Sequence, residues 1–323
     1  MPFTVVRMNL VAPHEPPETL SARYRAAVEM AAYADAHGVD TVQTEEHHGT
    51  GNGWLPSPFA FAGAVFGATS RIAVTVSAII GPLYDPLRLA EDIAVLDLLS
   101  GGRLVTVAGI GYRPEEYEQA GVEWGRRGKL QDLLLETLLK AWTGEPFTYE
   151  GRTVRVTPRP FTQPHPMLLV GGSSKAAARR AARLGLPFFP SAHLPDLEAY
   201  YREQLALHGT EGWTMMPAEK TPLLHLSEDP DRAWALYGEH FLHEARMYAS
   251  WQSKDIRSAV RSTATTVAEL RAEGVYRIVT ADECAALGAE SLVLHPLCGG
   301  MPLEEGWRSL RLFTDDVLPR LHG

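Results

Sequence analysis

The 323-residue sequence is poor in cysteine, has no excess of positive charge and lacks long apolar runs. Its two cysteines cannot form a disulfide framework or a four-thiolate zinc site, and they fit a reducing compartment such as the cytoplasm. A formal net charge of -9 argues against nucleic acid as a partner, since sequence-independent binding needs clustered Lys and Arg. No stretch reaches about 18 apolar residues, so we expect no membrane span. The opening MPFTVVRMNLVAP also lacks the basic and apolar regions of a secretory signal.

What the sequence does contain is an alternation of short apolar runs and longer helical patterns. Residues 72–80 are almost continuously apolar, which is typical of a strand buried on both faces of a parallel sheet. Residues 19–37 carry apolar side chains at three- and four-residue spacing, which predicts a helix. About eight such strand–helix units, with no Pro/Ser-rich linker, predict an α/β fold: a (β/α)8 TIM barrel formed by residues 1–323 as a single domain.

The predicted barrel carries long connecting segments. Such a barrel typically takes about 250 residues, so we assign the surplus to insertion segments at residues 111–166, 208–218 and 250–264. Residues 278–290 are short for a full barrel helix, and we expect the last unit to be irregular. Functional groups of these barrels follow the carboxyl ends of the strands, which directs attention to four segments.

The first segment, Glu45-Glu46-His47-His48, follows the second predicted strand directly. A histidine there can serve as a general base or a hydrogen-bond donor near neutral pH. The alternative is that one histidine packs structurally while the other is solvated. Adjacent histidines on an extended chain point to opposite faces, so we predict no metal site at this pair. The glycine-rich loop that follows contains Trp54, which either lines an apolar pocket or packs under an ordinary surface loop.

The second and third segments place small residues at strand ends. Ser77 and Ala78 leave room for a flat ligand, although taken alone they fit better a core strand followed by a turn. Gly109 and Gly111 allow a ligand to approach the backbone closely. They do not form a dinucleotide-binding fingerprint, because the GxGxxG pattern is incomplete.

The fourth segment combines glycines and hydroxyls at a predicted helix start. Gly171, Gly172, Ser173 and Ser174 offer free backbone amides that fit a phosphate cradle. A plain N-cap by one of the serines explains the same residues. Arg127, in a short run of charges, either adds a cationic contact or lies on a solvated face.

Taken together, these segments resemble the luciferase-like flavin monooxygenase family. The most specific match is PLYDPLRLAEDIAVLDLLSGGRL, and EEHHG, GIGYRPEEYEQAG and LLVGGSSKAAARRAARLGLPF match three further family segments. The resemblance runs from Phe3 to Leu321 and is weakest between His208 and Ala289.

The resemblance implies a barrel that binds reduced FMN at its strand ends and oxygenates a small organic substrate with molecular oxygen, the flavin being supplied by a separate reductase. His47 matches the catalytic base or hydrogen-bond donor beside the flavin, and Glu46 contributes to the cofactor site. The substrate pocket is then assigned to His48, Trp54 and Tyr112.

The same resemblance implies how the flavin is held. Family members often have a non-prolyl cis peptide under the flavin ring, and Ser77-Ala78 occupies the matching position. Gly109 and Gly111 lie in the cofactor loop, while residues 171–174 hold the phosphate. Bacterial luciferase has an arginine near the position of Ile110 that this chain lacks, and Arg127 is assigned to the phosphate instead.

Two alternatives share this fold. One is a deazaflavin-dependent oxidoreductase that transfers hydride, and the other is a non-catalytic flavin-binding protein. The double histidine favours FMN over deazaflavin. Members of the family are commonly dimers, so the expected form is a cytoplasmic homodimer with no membrane or nucleic-acid partner.

Overall fold

The protein has an α/β fold, seen in a computed structural model that describes residues 2–219, 222–252 and 256–322. Nine strands form one sheet in the order β10-β9-β11-β1-β2-β3-β4-β7-β8, and neighbouring strands pair in parallel. Strands β5 and β6 form a separate antiparallel hairpin. The strands are β1 (Phe3–Arg7), β2 (Thr41–Thr44), β3 (Ala73–Ile80), β4 (Leu104–Gly109), β5 (Phe147–Tyr149), β6 (Arg152–Val154), β7 (Met167–Gly172), β8 (Phe188–Pro190), β9 (Leu223–Leu226), β10 (Tyr276–Val279) and β11 (Ser291–Leu294).

Helices follow most strands and cover the sheet. They are α1 (Pro17–Ala36), α2 (Pro58–Ala68), α3 (Pro86–Ser100), α4 (Pro114–Gln119), α5 (Arg127–Ala141), α6 (Lys175–Arg183), α7 (Pro195–His208), α8 (Pro230–Trp251), α9 (Val267–Glu273), α10 (Ala281–Ala285), α11 (Leu303–Arg311) and α12 (Leu318–His322). A π-helical turn at Leu312–Val317 joins the last two. In the described part of the chain, no helix is both long and apolar enough to cross a bilayer.

Local sequence signals explain these elements. Helix α3 begins at Pro86 after Asp85, whose carboxylate accepts hydrogen bonds from the Leu87 and Arg88 amides. It ends at Gly101, which adopts φ 66° at the C-cap. Helix α6 buries four alanines, so it packs closely against its neighbours. The predicted alternation of strands and helices in a parallel α/β fold is therefore confirmed.

The connecting segments contain structure of their own. Residues 111–166 hold α4, α5 and the β5–β6 hairpin, which turns at Glu150 and Gly151. In residues 208–218, backbone hydrogen bonds to Phe188 place the chain beside β8. Residues 250–264 follow α8, although 253–255 lie outside the described residues. The last unit is irregular, as predicted, because β10 and the five-residue α10 precede β11.

Strand β10 was not predicted. It adds a strand beside β9, so the sheet has nine strands where the sequence indicates about eight strand–helix units. The pattern YRIV is too short to stand out from a connection, and its pairing with β9 is what makes it a strand.

Candidate active site

The carboxyl ends of β2 and β3 meet around the side chain of Glu46. Its Oε2 atom accepts a hydrogen bond from the backbone amide of Ile80 at 2.7 Å, and its Oε1 atom accepts from the Tyr84 hydroxyl at 2.8 Å. Glu46 is only 2% exposed. This carboxylate thus ties the segment after β2 to the end of β3, and it fixes the backbone that carries the two histidines.

His47 lies between two polar groups from the segment after β4. Its Nδ1 atom is 2.9 Å from Oε1 of Glu116, on α4, and its Nε2 atom is 3.0 Å from the hydroxyl of Tyr112. His47 is buried, and Glu116 is buried with it. The sequence-predicted pair His47 and Tyr112 is therefore brought into direct contact.

The charge state of Glu116 sets the tautomer of His47. Burial alone would raise the pKa of Glu116, but hydrogen bonds from His47 and from the His48 amide, together with the charge of Arg113, lower it. The ionised carboxylate only accepts hydrogen bonds, so Nδ1 of His47 carries a proton. In the neutral imidazole, Nε2 then keeps its lone pair and accepts from the hydroxyl of Tyr112.

His48 has a carboxylate partner of its own. Its Nε2 atom lies 2.7 Å from Oε1 of Glu46. This hydrogen bond raises the pKa of His48 against the opposing effect of burial. The neighbouring histidines thus turn to different carboxylates, His47 to Glu116 and His48 to Glu46, and they do not converge on one point.

Aromatic rings surround His47. Trp54 is 1% exposed, and its ring lies edge-on to the imidazole with centroids 5.2 Å apart. Tyr248 and Trp251, from the end of α8, add rings at 6.4 and 4.8 Å. Burial raises the pKa of Tyr112, so its hydroxyl stays protonated at neutral pH. Trp54 is packed in the interior, beside His47 and Tyr248.

Small residues of three adjacent strands cluster beside this group. The Ser77-Ala78 peptide bond is cis, as the resemblance implies. A Cβ placed on Gly109 would lie 3.3 Å from Cβ of Ala78, and one on Gly171 would lie 4.0 Å from the same atom. Ends of β3, β4 and β7 thus form a shelf, defined by Ala78, Gly109 and Gly171, that carries almost no side-chain volume.

The glycine-serine segment lies at the start of α6. Gly172 has φ 147°, and a Cβ there would lie 2.9 Å from Cβ of Ala177. Ser174 is the N-cap, and its hydroxyl accepts a hydrogen bond from the amide of Ala177 at 3.3 Å. Ser173 immediately precedes this cap. Ser174 therefore acts as the N-cap, as one of the two interpretations predicted. The first backbone amides of α6 have no partner within the helix, and they point toward residues 171–174, as an anion site requires.

Two other residues predicted to bind the cofactor, Gly111 and Arg127, contact other parts of the protein. The guanidinium of Arg127 is 3.9 Å from the ring centroid of Trp124 and donates to its carbonyl at 3.0 Å. Gly111 has φ 64°, and a Cβ there would come within 2.9 Å of Ile80. The structure thus places Gly111 against β3 and Arg127 against Trp124.

The residues fit a flavin. The shelf offers a flat surface without side chains, and the start of α6 offers backbone amides for a phosphate. Thr44, the last residue of β2, has a buried hydroxyl without a hydrogen-bond partner in the described part of the chain. An unpaired buried hydroxyl is costly, so a polar ligand at this strand end would satisfy it.

A second buried polar group lies at the ends of β1 and β11. Glu244, on α8, accepts hydrogen bonds from Arg7 at 2.9 Å and from Nε2 of His295 at 2.9 Å. The Gly299 amide donates to its other oxygen at 3.0 Å. Burial and the charge of Glu244 raise the pKa of the Cys298 thiol. Although the donor atoms of Glu244, His295 and Cys298 lie within 4.8 Å of one another, the Arg7 guanidinium already neutralises this carboxylate.

Sequence reasoning missed several residues of this site. They are Arg7, Arg113, Glu116, Glu244, Tyr248, Trp251 and His295. One signal was available, because Arg113 and Glu116 follow a predicted strand end at i, i+3 spacing. A second was the i, i+4, i+7 spacing of Glu244, Tyr248 and Trp251, which places all three on one helix face.

Comparison with known proteins defines the family. The model of the luciferase-like monooxygenase family matches residues 1–286. The chain therefore belongs to the luciferase-like monooxygenase family. Its fold is the one expected from the sequence resemblance.

Similar sequences cover only part of the chain. The protein y4vJ of Sinorhizobium fredii is 30% identical over 179 residues, which is 54% of this chain and 51% of that protein. An FMNH2-dependent dimethylsulfone monooxygenase of Pseudomonas putida is 28% identical over 138 residues, 40% of this chain and 38% of that enzyme. The chain spans about half the length, or less, of these curated relatives.

Similar structures cover the whole chain. The monooxygenase RslO1 from Streptomyces bottropensis superposes with a TM-score of 0.76 at 26% identity, covering 99% of this chain and 100% of that one. The oxygenating constituent of 3,6-diketocamphane monooxygenase from Pseudomonas putida, solved with FMN, has a TM-score of 0.69 at 17% identity and covers 99% of each chain. An F420-dependent secondary alcohol dehydrogenase also shares the fold, with a TM-score of 0.64 at 16% identity and 99% coverage of each chain.

Proposed function

We propose that the protein is a two-component monooxygenase that uses reduced FMN and molecular oxygen on a small organic substrate. The observation that carries this proposal is the position of His47 after β2, held by Glu116 and in contact with Tyr112. Strand β2 lies next to β3 in the sheet, and the ends of β3, β4 and β7 form the shelf of Ala78, Gly109 and Gly171. Family membership and similarity to FMN-dependent monooxygenases support it.

The chain's own groups have defined roles in this proposal. The shelf binds the flat ring system, and the amides at the start of α6, with Gly172, Ser173 and Ser174, bind the phosphate. Glu46 and Arg127 complete the cofactor site. Reduced FMN, when bound, supplies the two electrons with which one atom of oxygen becomes water while the other enters the substrate.

His47 handles a proton beside the reacting groups. Its Nδ1 proton is held by Glu116, so Nε2 is the nitrogen that exchanges a proton with the Tyr112 hydroxyl or with a substrate. Trp54 and Tyr112, together with His48, form the substrate side of the pocket and exclude water from it.

A reductase-coupled assay tests the proposal. FMN is reduced by a separate flavin reductase in the presence of ¹⁸O₂ and a panel of aldehydes, ketones and aromatic compounds. We expect one ¹⁸O atom in a product, and we expect His47→Ala to lose that product while still binding the flavin. Unchanged turnover by His47→Ala removes the proposed role of this residue. No oxygen incorporation, with hydride transfer from reduced F420 instead, supports the deazaflavin alternative, and tight flavin binding without any turnover supports a binding protein.

We further propose a homodimer of single-domain subunits that acts in the cytoplasm. Helix α3 exposes three apolar side chains, Val95, Leu98 and Leu99, each between 44% and 59% exposed, and a partner subunit would cover them. Both cysteines are free and buried, which fits a reducing compartment. Sedimentation of the wild type and of Leu99→Lys tests the dimer, which the charged variant should dissociate; an unchanged sedimentation coefficient contradicts this interface.

A further inference from the structure

The indole of Trp251 is enclosed by side chains from other parts of the chain, as a bound aromatic ligand would be. The indole of Trp251, the last residue of α8, lies 4.8 Å from the imidazole of His47 and 5.2 Å from the ring of Trp54, measured between centroids. The guanidinium carbon of Arg113 lies 4.3 Å from the centre of the same indole. His47 and Trp54 from the segment after β2, with Arg113 from the segment after β4, therefore enclose one planar ring.

The enclosing residues are fixed independently of the indole. Arg113 donates to Oε1 of Glu116 at 3.1 Å and to the carbonyl of His48 at 3.0 Å, and these bonds hold its guanidinium over the ring. His47 is held by Glu116, and Trp54 is buried. Because these side chains are held by contacts other than those to the indole, the space between them can accept another ring of similar size.

Two hydrogen-bond donors at this site lack acceptors. The Nε atom of Arg113 and the Nε1 atom of Trp54 are buried and have no partner in the described part of the chain. The Arg113 side chain is only 9% exposed. Buried donors of this kind are normally paired, so a ligand that brings an oxygen acceptor next to an aromatic ring would complete the site.

Displacement of Trp251 costs little backbone structure. It is the last residue of α8, and the last carbonyls of a helix have no partner inside the helix in any case. Glu244, seven residues earlier, fixes the same helix face to Arg7 and His295 and holds the rest of α8 in place. The indole can therefore leave while the helix that carries it stays docked.

We infer that the place of the Trp251 indole is the substrate subsite, and that it takes a planar aromatic ring that carries a hydroxyl or carbonyl oxygen. Arg113 and the aromatic walls favour a π face over a saturated ring of the same size. The inference rests on the proposed function, since it names the substrate class of that site. It excludes straight-chain aldehydes and saturated ring ketones as preferred substrates.

A matched pair of probes tests the inference by binding alone. 2-Naphthol and decahydro-2-naphthol have the same carbon skeleton and hydroxyl, but only the first has π faces. Their dissociation constants are measured by calorimetry, without flavin, for the wild type, for Trp251→Ala, and for Trp213→Ala as a control in which an exposed tryptophan is lost. Trp251→Leu, which leaves a smaller space, serves as a second variant if the alanine variant does not fold.

The expected result is that Trp251→Ala binds 2-naphthol at least tenfold more tightly than the wild type and the Trp213→Ala control do. It should also prefer 2-naphthol over decahydro-2-naphthol by about tenfold. Equal binding of the two probes, no binding of either, or no gain over the control overturns the inference. Titration with FMN is carried out on the same samples. If FMN binds but the naphthol probes give one of these contrary results, only the assignment of the substrate subsite is wrong. If FMN does not bind, the proposed function is wrong.

Discussion

The Nδ1 atom of His47 lies 2.9 Å from Oε1 of Glu116, although 69 residues separate the two in the chain. The contact joins the end of β2 to the first turn of α4. It defines which nitrogen of the imidazole is free to exchange protons. Glu116 acts on the reacting groups through His47, so we regard it as a positioning residue.

Replacement of Glu116 by Gln should lower kcat by about 10- to 100-fold, a part of the ~10²–10⁴ that a positioned base contributes. The neutral amide does not balance the charge that His47 gains when it takes up a proton. Reduced FMN should bind as before, and Glu115→Gln, on the exposed side of the same helix, should have no effect. If kcat is unchanged in Glu116→Gln, then His47 does not depend on this carboxylate.

The pKa of His48 should fall toward its ordinary value of 6.5 in Glu46→Gln, because the hydrogen bond to Glu46 is the largest cause of its increase. A raised histidine pKa stabilises the fold below pH 6.5, and this contribution is lost as the pH rises through the raised value. NMR titration of the ring protons measures the change, with exposed Glu118→Gln as the control. An identical pKa in both variants contradicts the assigned cause.

Gly109→Ala should weaken the binding of reduced FMN by about tenfold, which corresponds to about 1.4 kcal/mol. The added methyl group lies 3.3 Å from Cβ of Ala78, on the shelf where the flavin ring is proposed to bind. Gly51→Ala is the matched control, because a Cβ there meets no atom within 4 Å. Anaerobic titration gives both constants, and equal affinities in the two variants place the flavin elsewhere.

Glu244→Ala should reduce the free energy of unfolding by about 3–5 kcal/mol, since it leaves the buried Arg7 and His295 without their shared partner. Burial opposes ionisation of Glu244, but His295 and Arg7 lower its pKa below the ordinary 4.5. The stabilisation is therefore present above pH 4.5 and lost as the pH falls through the lowered value. Urea unfolding at several pH values measures it, and exposed Glu239→Ala should change it by less than about 0.5 kcal/mol. A similar loss in both variants shows that the network does not stabilise the fold.

Much of the fold was predictable because its signals are local. The apolar run at residues 72–80 became β3, and helix α3 follows from a proline at its start and glycines at its end. Strand β10 was missed because four residues carry too little periodicity, and its partner β9 is distant in the chain.

The site was predictable only where a motif lies at one strand end. The segment with His47 and His48 stood out because both follow β2 directly. Glu116 and Trp251 did not stand out in the sequence, because each contacts His47 from a distant segment of the chain. No pattern within one segment encodes such a contact, and only the register of the sheet and the docking of α8 create it.

The measurement that tests the central claim most directly is an anaerobic titration of the wild-type protein with reduced FMN and, separately, with reduced F420. We predict saturable binding of one reduced FMN per chain, weakened by Gly109→Ala and unchanged by Gly51→Ala, with much weaker binding of F420. Preferential binding of F420, or binding of reduced FMN that does not respond to Gly109→Ala, contradicts the account.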